Sequence, residues 1–351
     1  MIENFSDKVI FNFFFILILN STLFYILNLF ILKKNLFVDI KNFSSHKKLI
    51  NSDTVPISGG IIILLNSLFF NFFNNTFNQF LIFGVFIIGL LADIQKLNSP
   101  LKRLTFQLIV IFIFVLINEL FIKSIRIPIF DFYLNYNLVS IIFTSFCFLI
   151  LLNGSNFIDG SNLQCSGYYF AILTILLFLN TKVDVDNIEI VYVLYPTLLS
   201  FIFFNFFNKS YLGDGGSYLL SFIIGFILIH FHLNQNVSPY LIVLFLWYPA
   251  FENLFSILRR LFSKNLRPDR PDLLHLHHLL FQFINAKYQL KKYLKFSIAG
   301  IVINSYNLVI FYVGSFFIYS TTKLLILIFI SVSIYLATYF LLLNKLKLMN
   351  D

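Results

Sequence analysis

Apolar runs of membrane-spanning length recur along almost the whole chain, and they decide what it can fold into. A helix needs about 20 apolar residues to cross a bilayer, with a tolerated range of roughly 17 to 25. Residues 10–32, 104–122, 240–261, 296–319 and 324–343 meet that length. Shorter or polar-interrupted runs occupy 57–73, 77–91, 138–152, 167–179, 191–207 and 218–231. The pattern predicts an all-α polytopic integral membrane protein of ten or eleven transmembrane helices, a single domain over residues 1–351. With 59% hydrophobic and 12% charged residues, the chain lacks the polar surface of a soluble domain. The first run is too long for a signal-peptide core and follows Glu3, Asp7 and Lys8 rather than a basic stretch, so it is expected to be retained. Cys147 lies in an apolar run and Cys165 in a polar loop, which gives no disulfide framework.

Eleven spans put the two termini on opposite sides of the membrane. With the N-terminus outside, 20 of the 25 Lys and Arg fall on inside segments, and only Lys8, Lys123, Arg126, Lys182 and Lys323 lie outside. Such a bias sets orientation. The net charge of +9 therefore reports topology and contact with anionic lipid or substrate, and nucleic acid is not needed to explain it. The inside loops, about 33–56, 92–103, 153–166, 208–217 and 262–295, also hold the unusual polar sequence. A transporter is expected to carry ionisable groups near mid-bilayer. Here they gather at one end of the spans, which favours a site at the membrane surface.

These loops combine carboxylates, basic groups and Gly-rich turns, which suits a magnesium diphosphate. Mg²⁺ takes one or two carboxylates plus phosphate oxygens and water, and phosphoryl transfer rests on positioning and charge neutralisation. Gly213-Asp214-Gly215-Gly216-Ser217 precedes a span expected to begin near Tyr218. Glycines let backbone approach an anion, the following helix N-terminus presents N–H groups, and Asp214 is placed as a metal ligand. A Gly-rich turn with an Asp N-cap is the plainer alternative. Asn153, Asn156 and Asp159 are spaced by three, which puts them on one helical face. They suit nucleotide or sugar contact with a contribution to a metal site, and equally the capping of a span.

Asp93 ends a span ahead of Lys96, Pro100, Lys102 and Arg103. His46, Lys47 and Lys48 precede Pro56-Ile57-Ser58-Gly59-Gly60, where the lysines suit phosphate but also suit a topogenic basic loop. His275-Leu276-His277-His278 follows Arg267, Asp269, Arg270 and Asp272. A zinc site is one reading of these imidazoles. No Cys or carboxylate cluster completes it, and contact with phosphate or uracil oxygens beside the arginines fits better.

In this order the loops resemble the polyprenyl-phosphate N-acetylhexosamine-1-phosphate transferases, from about Asp39 to Leu280. The first loop resembles that family's basic His-containing loop with its Pro…Gly-Gly ending. Ala92-Asp93, with Ser99-Pro100-Leu101-Lys102-Arg103 downstream, resembles its Asp-Asp pair and Ser-Pro-x-x-Arg. Asn153, Asn156, Asp159 and Gly160 match its Asn-x-x-Asn-x-x-Asp-Gly. Gly213 to Ser217 match its magnesium-binding Gly-Asp-x-Gly-Ser, with Asn205 as the upstream Asn. The His-x-His-His form resembles the branch that starts O-antigen chains rather than the peptidoglycan branch.

The resemblance implies transfer of HexNAc-1-phosphate from a UDP-HexNAc donor to undecaprenyl (polyprenyl) phosphate, with Mg²⁺ (Mn²⁺ as alternative) and release of UMP. It implies a multi-pass protein of the bacterial cytoplasmic (inner) membrane, its site facing the cytoplasm, with membrane lipids as partners and a homodimer as one assembly. Asp93, Asp159, Asp214, His275, His277 and His278 are then the catalytic set, with Asp214 and Asp93 on the metal. His46, Lys47, Lys48, Lys102, Arg103, Asn153, Asn156, Asn162, Asn205 and Arg267 are the substrate-binding set. Two positions depart from the pattern: Ala92 replaces the first Asp of the pair, and Asn162 the second Asp of Asp-Gly-x-Asp-Gly. The first Asp has been proposed in some members as nucleophile or base, and alanine offers neither role. Two other classes therefore stay open: an inactive scaffold, and a lipid or nucleotide-sugar transporter.

Overall fold

The computed structural model describes residues 2–39, 54–73, 75–262 and 274–350. The described elements are α1 (Ile2–Lys34), a two-residue antiparallel pair β1 (Val38–Asp39) and β2 (Val55–Pro56), α2 (Gly59–Phe69), α3 (Thr76–Asp93), α4 (Pro100–Ile117), α5 (Pro128–Leu134) and α6 (Asn137–Ile158). There follow α7 (Gln164–Leu179), α8 (Ile188–Phe206), α9 (Gly213–Gln235), α10 (Pro239–Phe262), α11 (Leu276–Lys287), α12 (Lys292–Gly314) and α13 (Thr321–Asn350). Among the described residues nine helices are long and apolar enough to cross a membrane, and α2 and α7 are shorter apolar helices. The protein is an all-α, multi-span membrane protein. Each of the eleven apolar runs contains a helix, while α5 and α11 are helices that the runs did not predict.

Several ends differ from the expected ones. The span expected at 104–122 begins at Pro100, because Ser99 caps it through Oγ and proline is pre-set for the first helical turn. It stops at Ile117, and Asn118 pairs with Asn78 of α3 through reciprocal amide bonds of 2.7 and 3.0 Å. The loop expected at 153–166 is shorter, since α6 runs on to Ile158. The loop expected at 262–295 contains α11.

Helix α9 is the most enclosed of the nine spans, whereas α4 and α13 keep most of their surface on the outside of the bundle. Small residues explain its position. In lipid, apolar tails are as greasy as leucine, so association depends on close packing and on polar pairs. A Cβ at Gly89 of α3 would sit 2.4 Å from the Gly215 Cα, and one at Gly60 of α2 would sit 2.6 Å from the Gly216 Cα. The three backbones therefore touch at the start of α9. Polar glue acts on the other flank of α2. Asn66 donates to Asn20 of α1 at 2.7 Å, and Asn20 donates to Thr197 of α8 at 3.1 Å.

Pro249 lies inside α10, where it cannot donate to the Phe245 carbonyl four residues back. The Tyr168 hydroxyl of α7 donates to that carbonyl at 2.7 Å. On the opposite side a Cβ at Gly154 would meet the Pro249 carbonyl oxygen at 2.5 Å, so glycine is what lets α6 approach. The break in α10 is thus satisfied by one neighbour and packed by another.

Candidate active site

The polar loop ends converge at one end of the bundle. Tyr211, just before α9, bridges in parallel to Ile57, just before α2. Its N–H donates to the Pro56 carbonyl at 2.9 Å, and the Gly59 and Gly60 N–H groups donate to the Tyr211 and Leu212 carbonyls. The first helical turn of α2 is consumed in fixing the loop that delivers Asp214.

Gly213-Asp214-Gly215-Gly216-Ser217 is not a turn ahead of a span but the first turn of α9 itself. The expected anion-binding N–H groups are already used: the Asp93 carboxylate accepts from Asp214 N at 3.0 Å and from Gly215 N at 3.2 Å. The glycines serve this geometry. Gly213 adopts φ +77, a left-handed conformation, beside Asp93 Oδ2, while Gly215 and Gly216 admit α3 and α2. Asp214 itself is no N-cap; Leu212 holds that position and makes no side-chain cap. The Asp214 carboxylate, 28% exposed, forms an ion pair of 3.3 Å with Arg103, 25% exposed. Arg103 and Lys102 belong to the first turn of α4 rather than to a loop, and Lys102 is exposed.

Asn153 and Asn156 lie in the last turns of α6, with Asp159 at its C-terminal cap position. Asn153 donates to Gln107 of α4 at 2.9 Å, and Asn156 donates to the Tyr218 hydroxyl of α9 at 3.0 Å. Tyr218 is one turn beyond Asp214, so Asn156 ties the carboxylate end of α9 to the end of α6. Gly160 then meets the histidines. A Cβ there would lie 2.4 Å from His277 Nε2 and 3.2 Å from His278 Nε2. The imidazoles of His275, His277 and His278 are buried; the first two are stacked with centroids 5.6 Å apart, and the last two are tilted at 51° with centroids 4.2 Å apart.

Asn205 and Asn162 sit in supporting positions. The Asn205 side-chain oxygen accepts from Leu163 N at 2.6 Å and its amide donates to the Ser210 carbonyl at 2.7 Å, joining two loops. The geometry thus makes Asn205 a positioning residue. Asn162 is buried in a turn packed on Gly300 of α12, and its Nδ2 has no partner among the described residues. His46, Lys47, Lys48 and Arg267 lie outside the described residues.

Three residues of this end were missed. Glu252 is a fully buried carboxylate inside the expected span 240–261, against the reading that ionisable groups gather only at span ends. As the one acidic residue of α10 it was visible as an intramembrane charge, which points to function by default. Gln107 and Tyr218 carried a weaker signal, a lone polar group in an apolar run.

Among the described residues no group of three or more His, Cys, Asp or Glu is placed to hold a metal, so they do not form the zinc arrangement. Magnesium asks for less. A partly exposed Asp214 beside the Asp93 carboxylate matches the one or two carboxylates that Mg²⁺ takes when phosphate supplies the remaining oxygens.

Fold and site together define a helical membrane protein with a carboxylate–arginine pair and a histidine cluster at one end of its spans. Residues 76–232 match glycosyl transferase family 4. A probable undecaprenyl-phosphate N-acetylglucosaminyl 1-phosphate transferase of Bacillus subtilis is 30% identical over 141 residues, 38% of this chain and 38% of that protein. An undecaprenyl-phosphate alpha-N-acetylglucosaminyl 1-phosphate transferase of Thermotoga maritima is 26% identical over 229 residues, 64% of this chain and 67% of that protein. The chain thus spans well under half of the first relative and about two thirds of the second. The matched stretch, somewhat under half of the chain, is similar to glycosyl transferase family 4, the family that its loop motifs resemble.

Proposed function

We propose that this protein transfers a HexNAc-1-phosphate from a UDP-HexNAc donor to undecaprenyl or another polyprenyl phosphate, and so starts a lipid-linked surface glycan. The observation that carries the reading is the meeting of Asp93, Asp214 and Arg103 with the Asn156–Gly160 stretch and His277 and His278 at one end of the bundle. The two matched relatives bear names for this activity with N-acetylglucosamine, which favours that sugar as donor.

In this reading an acceptor phosphate oxygen attacks the phosphorus that bears the sugar. A new P–O bond forms to the carrier, the bond to the bridging oxygen breaks, and UMP leaves with that oxygen. Because a phosphate monoester is largely dianionic near neutral pH, the attack needs no enzyme nucleophile and tolerates Ala92. Bound Mg²⁺, held by Asp214 with Asp93 beside it, would neutralise the diphosphate. Arg103 holds the Asp214 carboxylate in place and adds positive charge. His277 and His278 would contact donor phosphate or nucleotide, and Asp159, Asn153 and Asn156 would orient it. Lys47 or Lys48 would hold the acceptor phosphate. The basic inside loops favour the cytoplasmic face of a bacterial inner membrane for this end of the bundle.

The test is UMP release by the purified protein. It should require both polyprenyl phosphate and Mg²⁺. Release without carrier, or none with any UDP-HexNAc, would overturn the proposal; the latter result belongs to an inactive scaffold or a transporter.

A further inference from the structure

Beyond the motifs, the inner half of α10 carries a group that no part of the proposed transfer has used. The Glu252 carboxylate is 0% exposed and follows a run of apolar and aromatic residues, Pro239 to Phe251, in the same helix. An isolated carboxylate there is costly, and its environment answers each oxygen separately. His275 Nδ1 lies 2.9 Å from Oε1, and the Tyr335 hydroxyl of α13 donates to Oε2 at 2.6 Å.

Two turns further along α10, Arg259 fixes the adjoining backbone. Its guanidinium donates to the Leu274 carbonyl at 2.5 Å, immediately before His275, and to the Tyr339 hydroxyl at 3.1 Å. The residues that hold the start of the histidine segment therefore come from α10 and α13, both outside the matched stretch 76–232.

We propose that Glu252 is a positioning residue: by accepting the Nδ1 proton of His275 it fixes the ring's tautomer and sets the His275–His278 segment against Gly160. The chemistry is direct. With Tyr335 donating to Oε2, the Oε1 atom facing the ring accepts, so Nδ1 carries the hydrogen and the neutral ring is held in one tautomer. Orientation passes on through the stack, since the His275 and His277 rings lie 13° from parallel and His277 packs on Gly160. A carboxylate behind an imidazole is the familiar way to lock a working histidine. Tyr335 completes the arrangement by holding the carboxylate itself.

The inference rests on the transferase reading for its catalytic consequence but not for its structural one, and two measurements keep these apart. The first is turnover by full-length E252Q and Y335F. The amide of E252Q keeps the shape but offers either oxygen or nitrogen to the ring. Its kcat should fall about tenfold or more while KM for the UDP-sugar holds, as for other groups that orient a working histidine; Y335F should fall less. The second is ¹⁵N-imidazole NMR at alkaline pH, practicable because the chain has 6 His, with His275 assigned by its loss in H275Q. The wild type should show a single Nδ1–H tautomer and E252Q a mixture.

An inactive wild type would remove the transferase reading and leave the NMR comparison to decide this one. Identical His275 spectra in wild type and E252Q, or a wild-type ring unprotonated at Nδ1, would overturn the proposal. So would wild-type kcat in E252Q. Should E252Q fail to fold, Y335F is judged on the same two readouts, and wild-type kcat with an unchanged His275 spectrum in it would be equally fatal.

Discussion

Asp93 closes the N-terminus of α9 by accepting the backbone N–H of Asp214 at 3.0 Å, so one carboxylate positions the residue that carries the other. The two aspartates are therefore not equivalent. D214N should abolish UMP release with the fold intact, because it removes charge from the carboxylate proposed to hold the metal. D93N should lose activity and also lower stability by about 1–2 kcal/mol, the scale of a lost helix cap. Thermal unfolding in detergent beside the UMP assay separates them; a destabilised D214N or a fully stable D93N would reverse the assignment.

Glycine replacements in α3 test packing without reference to activity. G89A drives a methyl group against the Gly215 backbone and should cost about 1–3 kcal/mol, the usual penalty for overpacking. G84A, five residues away, meets only Val110 Cγ2 at an ordinary 3.6 Å and should be neutral or slightly stabilising. Equal unfolding temperatures for the two variants would contradict the contact between α3 and α9.

Orientation has its own test. A reporter fused after Lys347 should read cytoplasmic, and one placed within 182–189 should read external. The reverse at both sites would put the candidate site outside the cell.

Direct attack by the carrier predicts a pH dependence set by the substrate. Turnover should rise through about pH 6 as the acceptor phosphate becomes a dianion, with no phospho-enzyme formed. A92D should then change the rate modestly, and in the direction of slowing, by placing a further anion near two phosphates. An inactive wild type that gains activity on A92D would refute direct attack for this protein.

Much of the architecture was legible because membrane helices announce themselves in short range. Every one of the eleven apolar runs carries a helix, since a buried span must satisfy its backbone internally. The carboxylates and histidines were legible too, as polar clusters with no apolar purpose. What they touch was not. The Gly213–Ser217 motif read as a cradle for an anion, yet Asp93 from 121 residues earlier occupies its N–H groups. Glu252 and Tyr335 come together across 83 residues and two helices, and no local pattern marks such a pair. Asn205 was marked by the resemblance alone, and the bonds by which it joins two separate loops had no local signal.

The close approach of Gly60, Gly89, Gly215 and Gly216 has a mechanical consequence. Main chain rests on main chain there, and no rotatable side chain lies between to take up slack. The separation of Asp93 and Asp214 is therefore set with the stiffness of whole helices, insensitive to rotamer changes. His275 is by contrast held through side chains: the Glu252 carboxylate and, at the preceding carbonyl, the Arg259 guanidinium. The carboxylate pair is thus the part of the site whose spacing the helices themselves hold.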